Sequence, residues 1–62
     1  MENLEFNKKY IARDKMNHGL LFYITLEPSK VFKDHLVVYN EYFDEHYHMS
    51  IEDLFETFEF IN

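Results

Sequence analysis

Hydrophobic and polar residues alternate most regularly in LLFYITLE, residues 20–27. Leu20, Phe22, Ile24 and Leu26 fall on one side and Leu21, Tyr23, Thr25 and Glu27 on the other, the two-residue period of a β-strand. A weaker alternation precedes it in FNKKYIAR, 6–13, where Phe6, Tyr10 and Ala12 share a side. The connector DKMNHG holds the only glycine. Gly19 takes a positive φ at little cost, so the pattern predicts a hairpin joining 6–13 to 20–27. An N-terminal helix competes, because Met1, Leu4, Lys8 and Ile11 also share a helical face. Pro28 ends the second strand, since it has no N–H to give to a ladder. SKVFKD, 29–34, suits a short helical turn. HLVVYNEYF, 35–43, is β-branched and aromatic, which predicts a third strand. Val31, Phe32, Leu36, Tyr39 and Phe43 are also compatible with helical spacing. DEHYH continues that strand or leaves it.

The period changes in MSIEDLFETFEFIN. Ile51, Leu54, Phe55, Phe58 and Ile61 form an apolar stripe at helical spacing. Ser50 stands at the N-cap with Asp53 three residues on, a capping box, and Met49 and Leu54 sit at the positions of a hydrophobic staple. These signals predict a helix over 51–61. The expected fold class is α+β: an antiparallel sheet of three strands with the C-terminal helix packed on one face.

Length and composition limit what such a fold can be. The 62 residues make one domain. A chain this short buries only about 60% of the surface its unfolded form exposes. Small folds lean on staples or partners, and without cysteine there are no disulfides, thiolate zinc sites or Cys nucleophiles. The apolar fraction, 47%, is too high for disorder. No apolar run approaches a membrane span, and MENLEFNKKY lacks the apolar core of a signal peptide. The expectation is a cytoplasmic miniature domain, completed as a homodimer or by a target.

Charge changes the picture more. Net charge is −6. The first 33 residues hold six basic and four acidic residues, a balance of +2; from Asp34 onward eight acids and no Lys or Arg give −8. A split of this kind marks a candidate interaction surface. It repels nucleic acid and attracts basic surfaces, including the DNA-binding clefts of other proteins. A solvated, solubilising acidic face is the plainer alternative. On a helix over 51–61, Glu52, Glu56 and Glu59 form one outward row beside Asp53. Like charges at these spacings each destabilise a helix by roughly 0.2–0.5 kcal/mol. Glu59 also faces the negative end of the helix dipole. Such a ladder of carboxylates imitates the phosphates of DNA and would dock into a Lys/Arg-lined groove. Phe55, Phe60 or Tyr47 would enter a pocket made for a base or an apolar anchor. The candidate partner-binding residues are Glu52, Asp53, Glu56 and Glu59, with Asp44, Glu45, Tyr47 and Phe55.

Other chemistry is sparse. On a strand, Asp44, His46 and His48 point the same way and offer a carboxylate and two imidazoles to Zn²⁺. A further ligand, His18 or His35, would be needed, and surface histidines beside carboxylates read the same. No cofactor or metal is expected. The non-phenolic hydroxyls, Thr25, Ser29, Ser50 and Thr57, form no nucleophile elbow. One glycine cannot build a phosphate loop. Basic residues 8, 9, 13 and 15 are diluted by acids at 2, 5 and 14, which argues against direct nucleic-acid binding. The chain is not expected to be an enzyme.

EYFDEHYHMSIEDLFETF, 41–58, resembles the small uracil-DNA glycosylase inhibitors of Bacillus phages. That family is also short, acidic, Cys-free and aromatic-rich. It pairs a Tyr-rich strand carrying a His with a short helix opened by a Ser and an Asp three residues later. Tyr42, His46, Ser50 and Asp53 match, with Met49, Ile51 and Leu54 as apolar counterparts. The family's chains continue past the helix into another strand, whereas a helix over 51–61 brings this chain to Asn62 without one. The resemblance covers under a third of the chain. It implies a dimeric DNA mimic that fills the DNA-binding cleft of a host enzyme. Phage anti-CRISPR proteins share the same gross character. The rival expectation is a structural interaction module, antitoxin-like or an assembly protein, that binds through its aromatic surface.

Overall fold

The computed structural model describes residues 4–61. Among them the order is β1 (Lys9–Asp14), β2 (Leu20–Pro28), β3 (His35–Asn40), β4 (Glu45–Ser50), α1 (Ile51–Thr57) and β5 (Phe58–Phe60). The first four strands form an antiparallel meander; the chain then crosses one face as α1 and returns as β5 beside β1, giving the order β4-β3-β2-β1-β5. The protein is a small α+β fold, but among the described residues its sheet has five strands where the sequence predicts three.

The core is one-sided. Tyr10, Ala12, Phe22, Ile24, Leu26, Leu36, Val38 and Phe58 point to the face that α1 crosses, and Leu54 closes over them. Leu54 is fully buried and is the only buried helical residue. Among the described residues, none forms a second layer on the opposite face. Leu21, Tyr23 and Ile61 lie exposed there, with His46 and His48 and the half-buried Tyr39.

The expected first hairpin forms, with Gly19 at φ 70 and its N–H bonded to the Asp14 carbonyl. The competing N-terminal helix includes Met1, which lies outside the described residues; Lys8 and Ile11 stand before and within β1. Three expectations are corrected. Residues 29–34 form no helical turn: the Ser29 hydroxyl accepts from the N–H groups of Val31 and Phe32, bending the chain as a loop. The strand over 35–43 stops at Asn40, and DEHYH largely forms a fourth strand. Asn40, 2% exposed, turns its side-chain oxygen onto the N–H groups of Tyr42 and Phe43. Asp44 takes φ 53, a conformation Asp tolerates better than most residues.

The helix expected over 51–61 ends at Thr57, because FEF also alternates. As a strand it buries Phe58, sets Glu59 beside Arg13, and pairs with a β1 edge that would otherwise stay open. Packing overrides the helical period of the last four residues. Ile61, expected in the buried stripe, is exposed.

Candidate protein-binding surface

Ser50 ends β4 and caps α1: its hydroxyl accepts from the Asp53 N–H at 3.0 Å. Glu52 and Asp53 therefore occupy the first helical turn, where the dipole favours negative charge. Glu56 stands one turn further, against Glu52 and Asp53. All three are exposed, and among the described residues no cation lies within 4 Å of them. No basic residue occupies the last turn. Relief comes instead from the β1–β2 connection, where Lys15 Nζ donates to the Phe55 carbonyl at 2.9 Å. The helix C-terminus is thus compensated across the fold, which local spacing could not reveal.

The acidic row is shorter than expected. Glu59 lies on β5, turned to the opposite face, with its carboxylate 3.4 Å from Arg13 Nε. Phe55, expected on the buried stripe, is 44% exposed beside Phe60, with ring centroids 6.1 Å apart. Asp44 and Glu45 sit at the other end of β4. Asp44 accepts from the Tyr39 hydroxyl at 2.7 Å, and Glu45 from the Tyr47 hydroxyl at 3.1 Å. The Asp44 bond, followed by partial desolvation and nearby negative charge, raises the Tyr39 pKa above the ordinary phenol value. Partial desolvation, and then the Glu45 bond, do the same for Tyr47.

The cations fall elsewhere. Lys8 pairs with Glu5, Lys9 with Glu41 and Arg13 with Glu59. Lys30 and Lys33 stand on the 29–34 loop. Among the described residues, Asp44, Glu45, Glu52, Asp53 and Glu56 of the β4–α1 region have no cationic partner.

A concavity lies beside the turn that follows β3. Where β3 turns off at Asn40, β2 runs on, and the gap forms an open groove of about 710 Å³. Leu20 to Tyr23 form one wall and Glu41, Tyr42 and Phe43 the other, with Asn17 at one end. Phe22 holds both tip aromatics, at ring-centroid distances of 5.8 Å to Tyr42 and 5.4 Å to Phe43, yet Tyr42 stays 77% exposed. None of these groove residues was singled out for binding by the sequence reasoning. Two aromatics bracketed by Asn40 and Asp44, at a position where turns are usually polar, were the available signal.

Asp44, His46 and His48 do not converge on a common point. Asp44 is in the turn. His46 lies 3.6 Å from Glu27, while His48 meets the Ser29 hydroxyl at 2.6 Å and stacks on His35. Among the described residues no three His, Asp or Glu side chains are grouped as a metal site. Nor is any described helix long and apolar enough to cross a membrane. The chain matches no family model, no curated protein and no solved structure.

Proposed function

We propose that this chain is a small acidic inhibitor, of the phage type, that acts as a DNA mimic. It would block the basic nucleic-acid cleft of a DNA-processing enzyme, a uracil-DNA glycosylase or a CRISPR-type nuclease, in the host cytoplasm. One observation carries the reading. Among the described residues, the carboxylates of β4 and α1 that pair with no cation form two groups, Asp44 and Glu45 at one end of β4 and Glu52, Asp53 and Glu56 at the other. Repulsion of Glu56 by Glu52 and Asp53 along α1 is a cost to the fold that a cationic partner would relieve. Binding would release counterions from that partner, so it should weaken steeply with salt. The protein itself makes no bond to nucleic acid and catalyses nothing in this reading. A homodimer would form on the open face of the sheet, where Leu21, Tyr23 and Ile61 are uncovered.

The aromatic groove favours a second reading, an interaction module that binds through Tyr42, Phe43 and Leu20. The two readings part on salt and on mutation. A Glu52→Gln/Asp53→Asn/Glu56→Gln protein should lose inhibition of uracil excision or of guided DNA cleavage, while Tyr42→Ala should keep it. Inhibition that survives the triple change and 0.5 M salt, but fails in Tyr42→Ala, would replace the first reading with the second.

A further inference from the structure

The edge strand β4 is open along its outer side. Backbone groups of alternate residues in a strand face opposite neighbours, and two bonds fix the parity here. The Glu41 N–H donates to the Tyr23 carbonyl on β2, and the Ile51 N–H donates to the Asp34 carbonyl at the start of β3. Asn40, Val38 and Leu36 therefore direct their peptide groups toward β4. Their register partners Glu45, Tyr47 and Met49 complete that ladder. The peptide groups of His46 and His48 and the Ser50 N–H then point off the sheet, and no described strand pairs with them. Ser50 gives its hydroxyl to the helix cap, not its N–H.

Natural edges are blunted by Lys, Pro, bulges or a covering element. β4, EHYHMS, has no Lys and no Pro, and its register with β3 is unbroken. What guards it is acid at both ends: Asp44 and Glu45 at the start, Glu52 and Asp53 just past the finish. That guard also selects the occupant. A second copy added antiparallel, with His48 or Tyr47 at the two-fold, would bring the Asp44–Glu45 end of each chain toward the Glu52–Asp53 end of the other. A parallel copy would set each acidic end beside its like. Both arrangements gather like charges at the ends of the added pair, which is unfavourable.

We propose that β4 is a strand-addition site for an extended segment of a partner protein, carrying Lys or Arg at both ends and apolar residues between. Main-chain bonds to His46, His48 and Ser50 supply affinity, as in other edge-strand recognition. Alternate side chains of the segment fall beside Tyr47 and Met49 on the helix side and beside His46 and His48 on the other. The proposal deepens the inhibitor reading and rests on its claim of a basic partner.

The probe is a nine-residue peptide of alternating valine and threonine with two lysines at each end, titrated into the intact protein at pH 8. The amides of His46, His48 and Ser50 should shift and gain hydrogen-exchange protection. A glutamate-flanked peptide should bind at least tenfold more weakly at low salt. His48→Pro removes an outward N–H without touching the β3 ladder, and should cost at least tenfold relative to His48→Ala. A peptide N-methylated at alternate positions tests the same bonds with no change to the protein. If neither the proline nor the N-methylation weakens binding, or if shifts appear only at the groove, the strand-addition site is overturned while the acidic reading stands. If Asp44→Asn/Glu45→Gln/Glu52→Gln/Asp53→Asn binds the lysine peptide as tightly as the parent, the basic partner falls, and the inhibitor reading with it.

Discussion

Replacing Glu56 by Gln should make the fold more stable. In α1 the Glu56 carboxylate stands four residues after Glu52 and three after Asp53, with no cation within 4 Å among the described residues. Each like-charge pair costs roughly 0.2–0.5 kcal/mol, so removing both recovers about 0.4–1 kcal/mol. Its place in the last turn, near the negative end of the dipole, adds about 0.3 kcal/mol in the same direction. A domain of this length has only about 3–9 kcal/mol in all, at 0.05–0.15 kcal/mol per residue. The gain should therefore be readable as a rise of several degrees in melting temperature, at about 4–8 °C per kcal/mol. Urea denaturation followed by circular dichroism measures it, at low salt and again in 1 M NaCl, where screening should shrink the gain. Glu59→Gln is the internal control. It gives up the Arg13 pair, so it should be neutral or slightly destabilising, within the 0–1 kcal/mol of exposed pairs. A Glu56→Gln protein less stable than its parent would refute the reasoning, because Glu56 would then be serving the fold.

Three further outcomes follow from named contacts. Lys15→Met should destabilise by about 0.5–1 kcal/mol through the uncapped Phe55 carbonyl, and an unchanged urea midpoint would remove Lys15 as the helix's cation. Leu54→Ala should cost about 2–5 kcal/mol, leaving a protein partly unfolded at 25 °C by circular dichroism; a loss under 1 kcal/mol would mean that α1 is not anchored by this side chain. Tyr39, its pKa raised first of all by the Asp44 bond, should ionise above the usual phenol range in a spectrophotometric titration and return toward it in Asp44→Asn. The sign is that of a raised folded pKa: the Tyr39–Asp44 contact supports the fold below the ordinary phenol pKa and is lost as pH rises through the raised one. A Tyr39 titration that Asp44→Asn leaves in place would discard that contact.

The parts of this fold that local pattern encodes were legible. The alternation of Leu20 to Leu26, Gly19 in the connector and Ser50 before Asp53 all act within a few residues, and each does what its spacing implies. What eluded the sequence is decided at a distance. TFEF satisfies both a helical stripe and a strand alternation, and the open edge of β1 decides between them. Glu59 looks unpaired until Arg13 arrives from a strand more than forty residues earlier. The helix end lacks a cation until Lys15 reaches it. The turn at Asn40 to Asp44 has no Gly or Pro; it is made by a buried Asn side chain whose role needs the surrounding sheet. The acidic face was legible in part, at Glu52, Asp53 and Glu56. The groove was not, since its walls are eighteen or more residues apart in the chain.

The central claim is that the carboxylates of β4 and α1 exist for a basic, DNA-binding partner. The most direct measurement is affinity capture from a bacterial lysate on the immobilised protein, beside its Glu52→Gln/Asp53→Asn/Glu56→Gln form, with mass spectrometry of what elutes. The account predicts a DNA-processing enzyme that binds the parent at low salt, is released by 0.5 M salt or by duplex DNA, and is missing from the triple variant. The same proteins on both forms, unmoved by salt and by DNA, would contradict it.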